Sequence, residues 1–335
     1  MVCSSEHSDR RTMAESELTK ESLSQITPRK HNVRGVIFAL CGGIGWGFSG
    51  ACAQNLFDGY GLDPLWISSV RMLFAGLLLC VFALIVKRGA FLRLWRSPKD
   101  LLWLFVVAIA GLAFCQITYL FAIKYSNAGT ATVIQYIAPV MIVLFLCFKG
   151  GRAPLAKEVL AMFLVVGGTF LLATHGDPTT MVLSPEGLFW GLISAVAFAL
   201  YTLLPGKLML RYGSIPIVAS ALLVGGIVFS LILQSWTTIP HIAPEGFIVL
   251  FVGLVFMGTV VGFTLYFQAV QDIGAAKTSL IASVETVSAT VFAVVWLGTS
   301  FTWIDIVGFV CIMATVFILA KPSDTIKRKS ANKGS

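Results

Sequence analysis

Apolar stretches of about 20 residues recur along the whole chain, separated by short polar segments. Each stretch is long enough to cross the roughly 30 Å hydrocarbon core of a bilayer as a helix. Lipid offers no hydrogen-bond partner to an open backbone, so helices are the default for such stretches. The pattern predicts ten membrane-spanning helices, at residues 33–57, 64–87, 100–123, 126–148, 155–174, 186–210, 214–236, 246–271, 275–297 and 302–320.

The two ends of the chain lack such stretches. Residues 1–32 are polar and rich in Ser, Glu and basic residues, so we expect a disordered tail there, and Met13 is a second candidate start. Residues 321–335 form a short basic tail. The 335 residues are 57% hydrophobic and only 12% charged, which indicates an all-α polytopic membrane protein rather than a soluble one.

Lys and Arg residues lie mostly in alternate loops. The intervening loops carry only Lys124, together with several carboxylates. Because short cytoplasmic loops collect positive charge, this alternation predicts a multi-pass protein of the cytoplasmic (inner) membrane with both termini in the cytoplasm. The net charge of +8 is therefore a topology signal, and no nucleic-acid partner is expected. The densest basic loop, after the second span, holds Lys87, Arg88, Arg93, Arg96 and Lys99.

Cysteine and glycine patterns suggest no cofactor. Six of the seven Cys lie within apolar spans and none pairs at metal-ligand spacing, so neither a disulfide framework nor a metal site is expected. Residues 45–50 fit G-x-G-x-x-G, but they lie inside a predicted membrane helix rather than after a strand, so we reject a dinucleotide site. The pairs Gly43/Gly47 and Gly258/Gly262 predict close contacts between helices instead.

The chain contains an internal repeat. A shift of 152 residues carries Tyr60-Gly61-x-x-Pro64 onto Tyr212-Gly213-x-x-Pro216, and a shift of 147 carries 119–173 onto 266–320 with ten identities in 55 positions. The predicted halves are residues 33–174 and 186–320. Each half has five spans, an odd number, so the second must cross the membrane in the opposite sense. Inverted repeats are typical of secondary transporters, whose substrate site lies near the bilayer midplane between the repeats.

Four features carry a resemblance to a known family. They are Trp46-Gly47 in the first span, Arg71 early in the second, Asn127-Ala128-Gly129 opening the fourth, and Ala138-Pro139-Val140 within it. In their order and spacing, residues 33–320 resemble the drug/metabolite transporter superfamily, specifically its EamA-type members. Similar proteins export amino acids, other small metabolites or drugs, some as uniporters and others coupled to protons. The resemblance implies a central cavity between spans 1, 3, 4, 6, 8 and 9, with spans 5 and 10 peripheral.

The ninth span departs from that family. Such proteins often carry Glu-Pro there, whereas this chain has Glu285-Thr286, and only the fourth span keeps a proline, Pro139. Whether the two halves bend equally is therefore open.

Glu285 is the one carboxylate deep within a predicted span. A charge at the bilayer centre costs roughly 2.5–3.5 kcal/mol on insertion scales, so we expect Glu285 to face protein or water. Apolar surroundings disfavour a charged carboxylate, and such a group could load and release a proton as a cavity changes sides. Alternatively, Glu285 is a neutral group that fixes the helix through Ser283 or Ser288.

Aromatic and amide residues cluster near the middle of the proposed cavity spans. An aromatic cavity with a few polar groups suits a small amphipathic ligand, although helix packing would also account for them. Arg71 is close to one end of its span, and we expect its side chain to snorkel to the outer interface rather than contact a substrate. The candidate substrate-binding residues are Trp46, Gln116, Tyr119, Gln135, Tyr136, Tyr201, Tyr266, Gln268 and Glu285.

The sequence thus predicts a secondary transporter that works by alternating access, an exporter of amino acids or similar small metabolites with proton coupling through Glu285. No Walker A motif is present to supply ATP drive. An importer of a vitamin or other metabolite remains an alternative, because inverted repeats carry no direction. An intramembrane lipid-modifying enzyme would need an acid pair, a His/Asp pair or metal ligands near an interface, and none is visible. A non-transporting scaffold is a further alternative, and the oligomeric state is not predicted.

Overall fold

The structure, a computed structural model, describes residues 32–151, 153–174, 184–237, 239–240, 242–298 and 302–320. Apart from Asn32, the predicted tails lie outside these residues. The described chain is helical throughout and contains no strand. Seven of its helical segments are long and apolar enough to cross a membrane by length and composition. The segments that correspond to the predicted spans are α1 (Asn32–Tyr60), α2 (Pro64–Val86), α3 (Pro98–Lys124), α4 (Ala128–Gln135 and Ala138–Lys149), α5 (Ala156–Thr174), α6 (Pro185–Tyr212), α7 (Ser214–Leu233), α8 (Pro244–Ile273), α9 (Ala275–Leu297) and α10 (Trp303–Ala320).

The outer face of the bundle is apolar, as a bilayer requires. On α2, large apolar side chains point outward, including Phe82 and Ile85, which are 43% and 76% exposed. The opposite face of the same helix buries Met72, Ala75 and Leu79. A soluble protein rarely exposes so continuous an apolar surface, so α2 is apolar on both its protein-facing and its lipid-facing side.

One helix was not among the predicted spans. Arg88–Trp95 forms a short amphipathic helix in the basic loop between α2 and α3. It buries Phe91 and Leu94 against the bundle, while Arg88 and Arg93 stay exposed. Basic residues beside a buried apolar stripe suit a segment that lies along a membrane surface.

Both α4 and α9 are interrupted near their middles. We call the two parts of α4 α4a (Ala128–Gln135) and α4b (Ala138–Lys149), and those of α9 α9a (Ala275–Ile281) and α9b (Val284–Leu297). Under the 147-residue shift the two interruptions coincide to within one residue. The break in α9 forms without a proline, so the absence of Glu-Pro does not leave the halves unequal in this respect.

Two further irregularities are shared by the halves. Val107–Ala113 in α3 and Val249–Val261 in α8 are π-helical. Shifted by 147 residues, 107–113 falls on 254–260, inside the second π segment. π-helical turns often occur at functional sites, where they redirect side chains. These apolar stretches contain no residue type from which a π-helical turn could be predicted.

Glycines with a left-handed backbone mark the same turns in each half. Gly61 and Gly213, the glycines of the repeated Tyr-Gly-x-x-Pro motif, have φ of 61° and 85°. Gly151 and Gly298, which end α4 and α9, have φ of 59° and 69°. Residues other than glycine rarely adopt this conformation. The backbone therefore explains why glycine recurs at equivalent positions of the two halves, in the pairs Gly61/Gly213 and Gly151/Gly298.

The halves interlock rather than lie side by side. Helix α1 packs against α8 and α9 of the second half, while α6 packs against α3 and α4 of the first. The second helices pair as α2 with α7, and α5 packs mainly on α10 at the periphery, as expected. The predicted glycine contacts are confirmed: a Cβ at Gly43 or Gly47 would overlap α9, and one at Gly258 or Gly262 would overlap α1. Small residues therefore bring α1 close to both of its partners.

Candidate functional site

A small internal cavity of about 40 Å³ lies where the two halves meet. Six of the surrounding helices, α1, α3, α4, α6, α8 and α9, are those expected from the resemblance, and α2 contributes as well. A water molecule needs about 10–15 Å³ by this measure, so the space suits a few waters rather than a metabolite. The lining residues are Trp46, Ser49, Arg71, Cys115, Gln116, Tyr119, Gln135, Phe198, Tyr201, Phe263 and Glu285.

Glu285 sits in the first turn of α9b, at the interruption of α9. Its side chain is only 2% exposed. Two tyrosines hold its carboxyl group: the Tyr119 hydroxyl is 3.2 Å from Oε1 and the Tyr136 hydroxyl is 2.8 Å from Oε2. The free N–H groups of a helix start favour an acidic side chain there. The break in α9 therefore supplies a polar environment for this acid in the middle of the bundle.

The two serines considered as partners of Glu285 do not hold its carboxyl group. Ser283 donates to the Leu280 carbonyl at 2.6 Å, and Ser288 donates to the backbone carbonyl of Glu285 at 2.9 Å. The carboxyl group instead reaches α3 and α4 of the other half, so it links the two repeats.

Aromatic rings form one wall of the cavity. The Trp46 ring lies 5.1 Å from Phe263 and 4.8 Å from Tyr266, centroid to centroid. Phe198 packs on Tyr201 at 4.9 Å with the rings edge to face. Such edge-to-face pairs are favourable arrangements of aromatic side chains. The wall is built from α1, α6 and α8, so it also spans both halves.

Arg71 corrects a sequence prediction. Its side chain is 5% exposed and lines the cavity, so it does not snorkel to the interface. The Nε group donates to Thr259 Oγ1 at 3.1 Å, within the π segment of α8. The Thr259 hydroxyl donates in turn to the Leu254 carbonyl, five residues earlier, at 2.8 Å. The wide π turn thus presents a hydroxyl acceptor that holds the guanidinium in the interior. The position of Arg71 within its span does not predict this contact.

Several buried polar atoms of the lining have no protein partner. Gln116 is 3% exposed, yet neither its Nε2 nor its Oε1 makes a hydrogen bond to the described protein, and the same holds for Trp46 Nε1. Gln135 Nε2 reaches only the Cys115 sulfur, at 3.8 Å. Buried polar groups are normally satisfied, so unpartnered amides beside a cavity point to a ligand or water.

The sequence-derived candidates divide into three groups. Six line the cavity: Trp46, Gln116, Tyr119, Gln135, Tyr201 and Glu285. Tyr136 and Tyr266 stand just behind it, the first on Glu285 and the second on Trp46 and the Thr202 hydroxyl. Gln268 lies elsewhere: it accepts from Ser214 and donates to Asp272 near the end of α8.

Five lining residues were not among those candidates. Arg71 and Cys115 could have been suspected from a polar or reactive side chain within an apolar span. Ser49, Phe198 and Phe263 carry no sequence signal, because such residues are common in membrane helices. Which apolar side chain faces the cavity depends on helix rotation, and the near-uniform hydrophobicity of these spans does not define it.

The two ends of the bundle differ. At the end where α1 begins, the part of the chain that the structure describes has ion pairs that join the halves. Arg34 of α1 binds Asp272 of α8 through Nε at 2.8 Å and Nη2 at 2.7 Å, and Arg211 of α6 binds Asp100 of α3 at 2.9 Å. The opposite end holds a depression of about 420 Å³, lined by Tyr60, Gly61, Leu62, Asp63, Leu65, Trp66, Leu233, Ser235 and Pro240. The larger space is thus at the surface, away from the buried charges.

A helical bundle of two interlocked repeats, with a polar cavity at their interface, defines a polytopic membrane transporter. The EamA-like transporter family model matches residues 33–174 and 185–321. A protein named uncharacterized inner membrane transporter YicL, from Salmonella typhimurium, is 34% identical over 87% of this chain and 96% of its own length. The chain belongs to the EamA-like transporter family.

Other comparisons agree. The uncharacterized transporter YvbV of Bacillus subtilis is 30% identical over 68% of this chain and 74% of its own length. A solved structure, described as "Crystal structure of protein", is similar in fold, with a TM-score of 0.62 over 85% of this chain and 95% of that one, at 17% identity. Each of these matches covers at least 68% of the chain.

Proposed function

We propose that this protein is a secondary transporter that exports amino acids or similar small metabolites by alternating access. The observation that carries the proposal is the cavity: it lies at the interface of the repeats, beside the interruption of α9, and contains buried charged and unpartnered polar groups. Broken helices at a repeat interface form the substrate sites of known transporter folds. The proposal also places both termini in the cytoplasm, which the distribution of Lys and Arg supports.

The size of the cavity supports a moving mechanism. Ligand pockets usually measure about 300–1,000 Å³, far more than the 40 Å³ found here. A metabolite would enter only after the halves separate at one end. In the proposed cycle, the ion pairs that join the halves where α1 begins hold this conformation closed on the cytoplasmic side. Export is the direction that the family resemblance suggests.

Glu285 is the proposed proton-binding residue, and a count of hydroxyl hydrogens supports this. Each hydroxyl carries one hydrogen. Thr132 donates its hydrogen to the Ala128 carbonyl at 2.5 Å, so it can only accept the hydrogen of Tyr119, whose hydroxyl is 2.8 Å away. The hydrogen of Tyr119 is then unavailable to Glu285.

The contacts of the second tyrosine, Tyr136, also support a protonated Glu285. The Tyr136 hydroxyl is 2.5 Å from the Ala282 carbonyl, which can only accept. Its oxygen also lies 2.8 Å from Glu285 Oε2, and this contact needs a hydrogen as well. One Tyr136 hydrogen cannot serve both contacts, so we propose that a proton on Glu285 serves the second one and that Glu285 is a neutral acid in this conformation. Opening of the cavity would hydrate the acid and let it ionise.

Counterflow in proteoliposomes tests the proposal. Purified protein should exchange at least one solute from a panel of amino acids and related metabolites, and the rate should differ between acidic and alkaline buffer. Glu285→Gln, which mimics the neutral acid, should make the rates at the two pH values equal. Glu245→Gln, an exposed acid at the start of α8, should behave as wild type. No solute-dependent flux from any member of the panel would overturn transport itself, and an unchanged pH dependence in the Glu285 variant would remove the proton role.

A further inference from the structure

The strongest unexplained feature of the cavity is the cation of Arg71. It is buried in the interior of a membrane protein, where a charge is costly unless it is paired. No carboxylate lies within 4.0 Å of its guanidinium nitrogens among the described residues, since the ion pairs found there involve Arg34 and Arg211. Glu285 lines the same cavity but does not form an ion pair with Arg71. The arginine is therefore positioned by the fold without a carboxylate in direct contact, and Glu285, which lines the same cavity, acts on it only from a distance.

The guanidinium is held on one side only. Its Nε is bound to Thr259 Oγ1, and no hydrogen bond from Nη1 or Nη2 to the described protein is present. These two nitrogens form the end-on fork that matches the two oxygens of a carboxylate. The Thr259 hydroxyl gives its own hydrogen to Leu254, so it can serve only as the acceptor that aims this fork. Lysine, a point charge without a fork, would not reproduce the arrangement.

A second group of the lining also lacks a partner. The Gln116 amide is 3% exposed, and both its Nε2 donor and its Oε1 acceptor are unpartnered in the described protein. Arg71 and Gln116 together offer one cation, one amide donor and one amide acceptor to whatever occupies the cavity. A protonated Glu285 leaves Arg71 as the net charge of the lining.

We infer that Arg71 binds a carboxylate group of the transported solute and makes the carrier selective for small carboxylates over the corresponding amides and amines. The inference rests on the proposed transport function. One guanidinium neutralises one negative charge, which suits a carboxylate better than a phosphate dianion. Gln116 completes the polar contacts of the bound head group, and the aromatic wall receives its apolar part.

Matched solutes test this inference in the full-length protein. Counterflow is measured with phenylalanine, phenylalaninamide and 3-phenylpropanoate, and with leucine, leucinamide and 4-methylpentanoate; phenyl phosphate is added as a competitor. Wild type should prefer each carboxylate over its amide by about tenfold or more, the effect of a hydrogen-bonded charge. Phenyl phosphate should compete weakly. Arg71→Gln should lower the preference to near one while flux of the amides persists, and Arg71→Lys should keep part of it.

Controls separate this inference from the wider proposal. Arg93→Gln removes an exposed arginine of the short loop helix and should leave the preference unchanged. Thr259→Val, which removes the acceptor of Nε, should weaken the preference without removing the charge, and it provides the test if Arg71→Gln does not fold. Flux without any preference in wild type, or an unchanged preference in the Arg71 and Thr259 variants, overturns the carboxylate role alone. Absence of all flux overturns transport together with it.

Discussion

Arg34 and Asp272 form a two-point ion pair that joins the start of α1 to the end of α8, and so ties the first half of the chain to the second. Asp272 is almost fully buried, whereas the Arg34 side chain is 47% exposed. The pair lies at the end of the bundle that the proposed cycle closes in this conformation. In an alternating-access cycle it must break whenever that end opens.

Removal of this pair should open this end more often. An ion pair with an exposed partner contributes up to about 1 kcal/mol, so Asp272→Asn should raise the population of the open state about three- to fivefold. Cys115, a lining residue, can report this in a background without the other six cysteines. We expect its rate of alkylation by a small maleimide to rise by that factor. Glu245→Gln, on the same helix at the opposite end, is the control; equal rates in the two variants would contradict a closing role.

Gly47 lets α1 approach α9, and its replacement should be destabilising. A Cβ at this position would overlap Ser288 Oγ, the Ala289 nitrogen and the Glu285 carbonyl. Because two of these atoms belong to the backbone, Gly47→Ala should lower the free energy of unfolding by about 1–3 kcal/mol. Gly59→Ala on the same helix meets no atom within 4 Å and should be neutral or slightly stabilising. Melting temperatures in detergent compare the two, and equal values would show that α1 and α9 can separate at little cost.

The hydroxyl of Tyr136 is a second donor to a buried carbonyl at the interruption of α9, that of Ala282, which also accepts from the Glu285 backbone N–H at 2.9 Å. It bonds Ala282 at 2.5 Å, and Ala282 is fully buried. Tyr136→Phe removes this donor and the contact with Glu285 while the backbone donor remains, at a cost of about 0.5–1.5 kcal/mol. Tyr125→Phe, at a ring that is 42% exposed, removes the same atom at an exposed position. Thermal unfolding should separate the two variants, and a normal melting temperature for Tyr136→Phe would mean that water replaces the phenol.

The break in α9 should tolerate a proline at position 286, the place where the family resemblance led us to expect one. Thr286 lies in the first turn of α9b, where a proline is accepted more readily than in the interior. Thr286→Pro should therefore yield a folded, monodisperse protein. Thr290→Pro, one turn further into the helix, should cost roughly 3 kcal/mol or more and reduce the folded yield. Similar yields of the two variants would argue against a fixed break at residues 282–283.

Hydrophobicity was sufficient to predict the spans, because the bilayer imposes a length and a composition on every crossing segment. It could not reveal the break in α9 or the π turns, since apolar residues fit all helical forms equally well, whereas the break in α4 is marked by Pro139 in the first turn of α4b. Arg71 shows the limit most clearly. It lies seven residues from the start of α2, a position from which we expected its side chain to reach the membrane interface. The side chain instead points inward and bonds the hydroxyl of Thr259, which is distant in the sequence. Gln268 was proposed because it is polar within an apolar span, and in the structure its amide bonds Ser214 and Asp272.

The interlocked packing of α1 and α6 also has a consequence for biosynthesis. The ribosome makes α1 first, whereas its partners α8 and α9 are among the last segments to enter the membrane. Until then lipid must cover the glycine face of α1, and the first half cannot reach its final arrangement alone. A gene divided between the halves should therefore give functional protein only when both pieces are produced in the same cell, each completing the other.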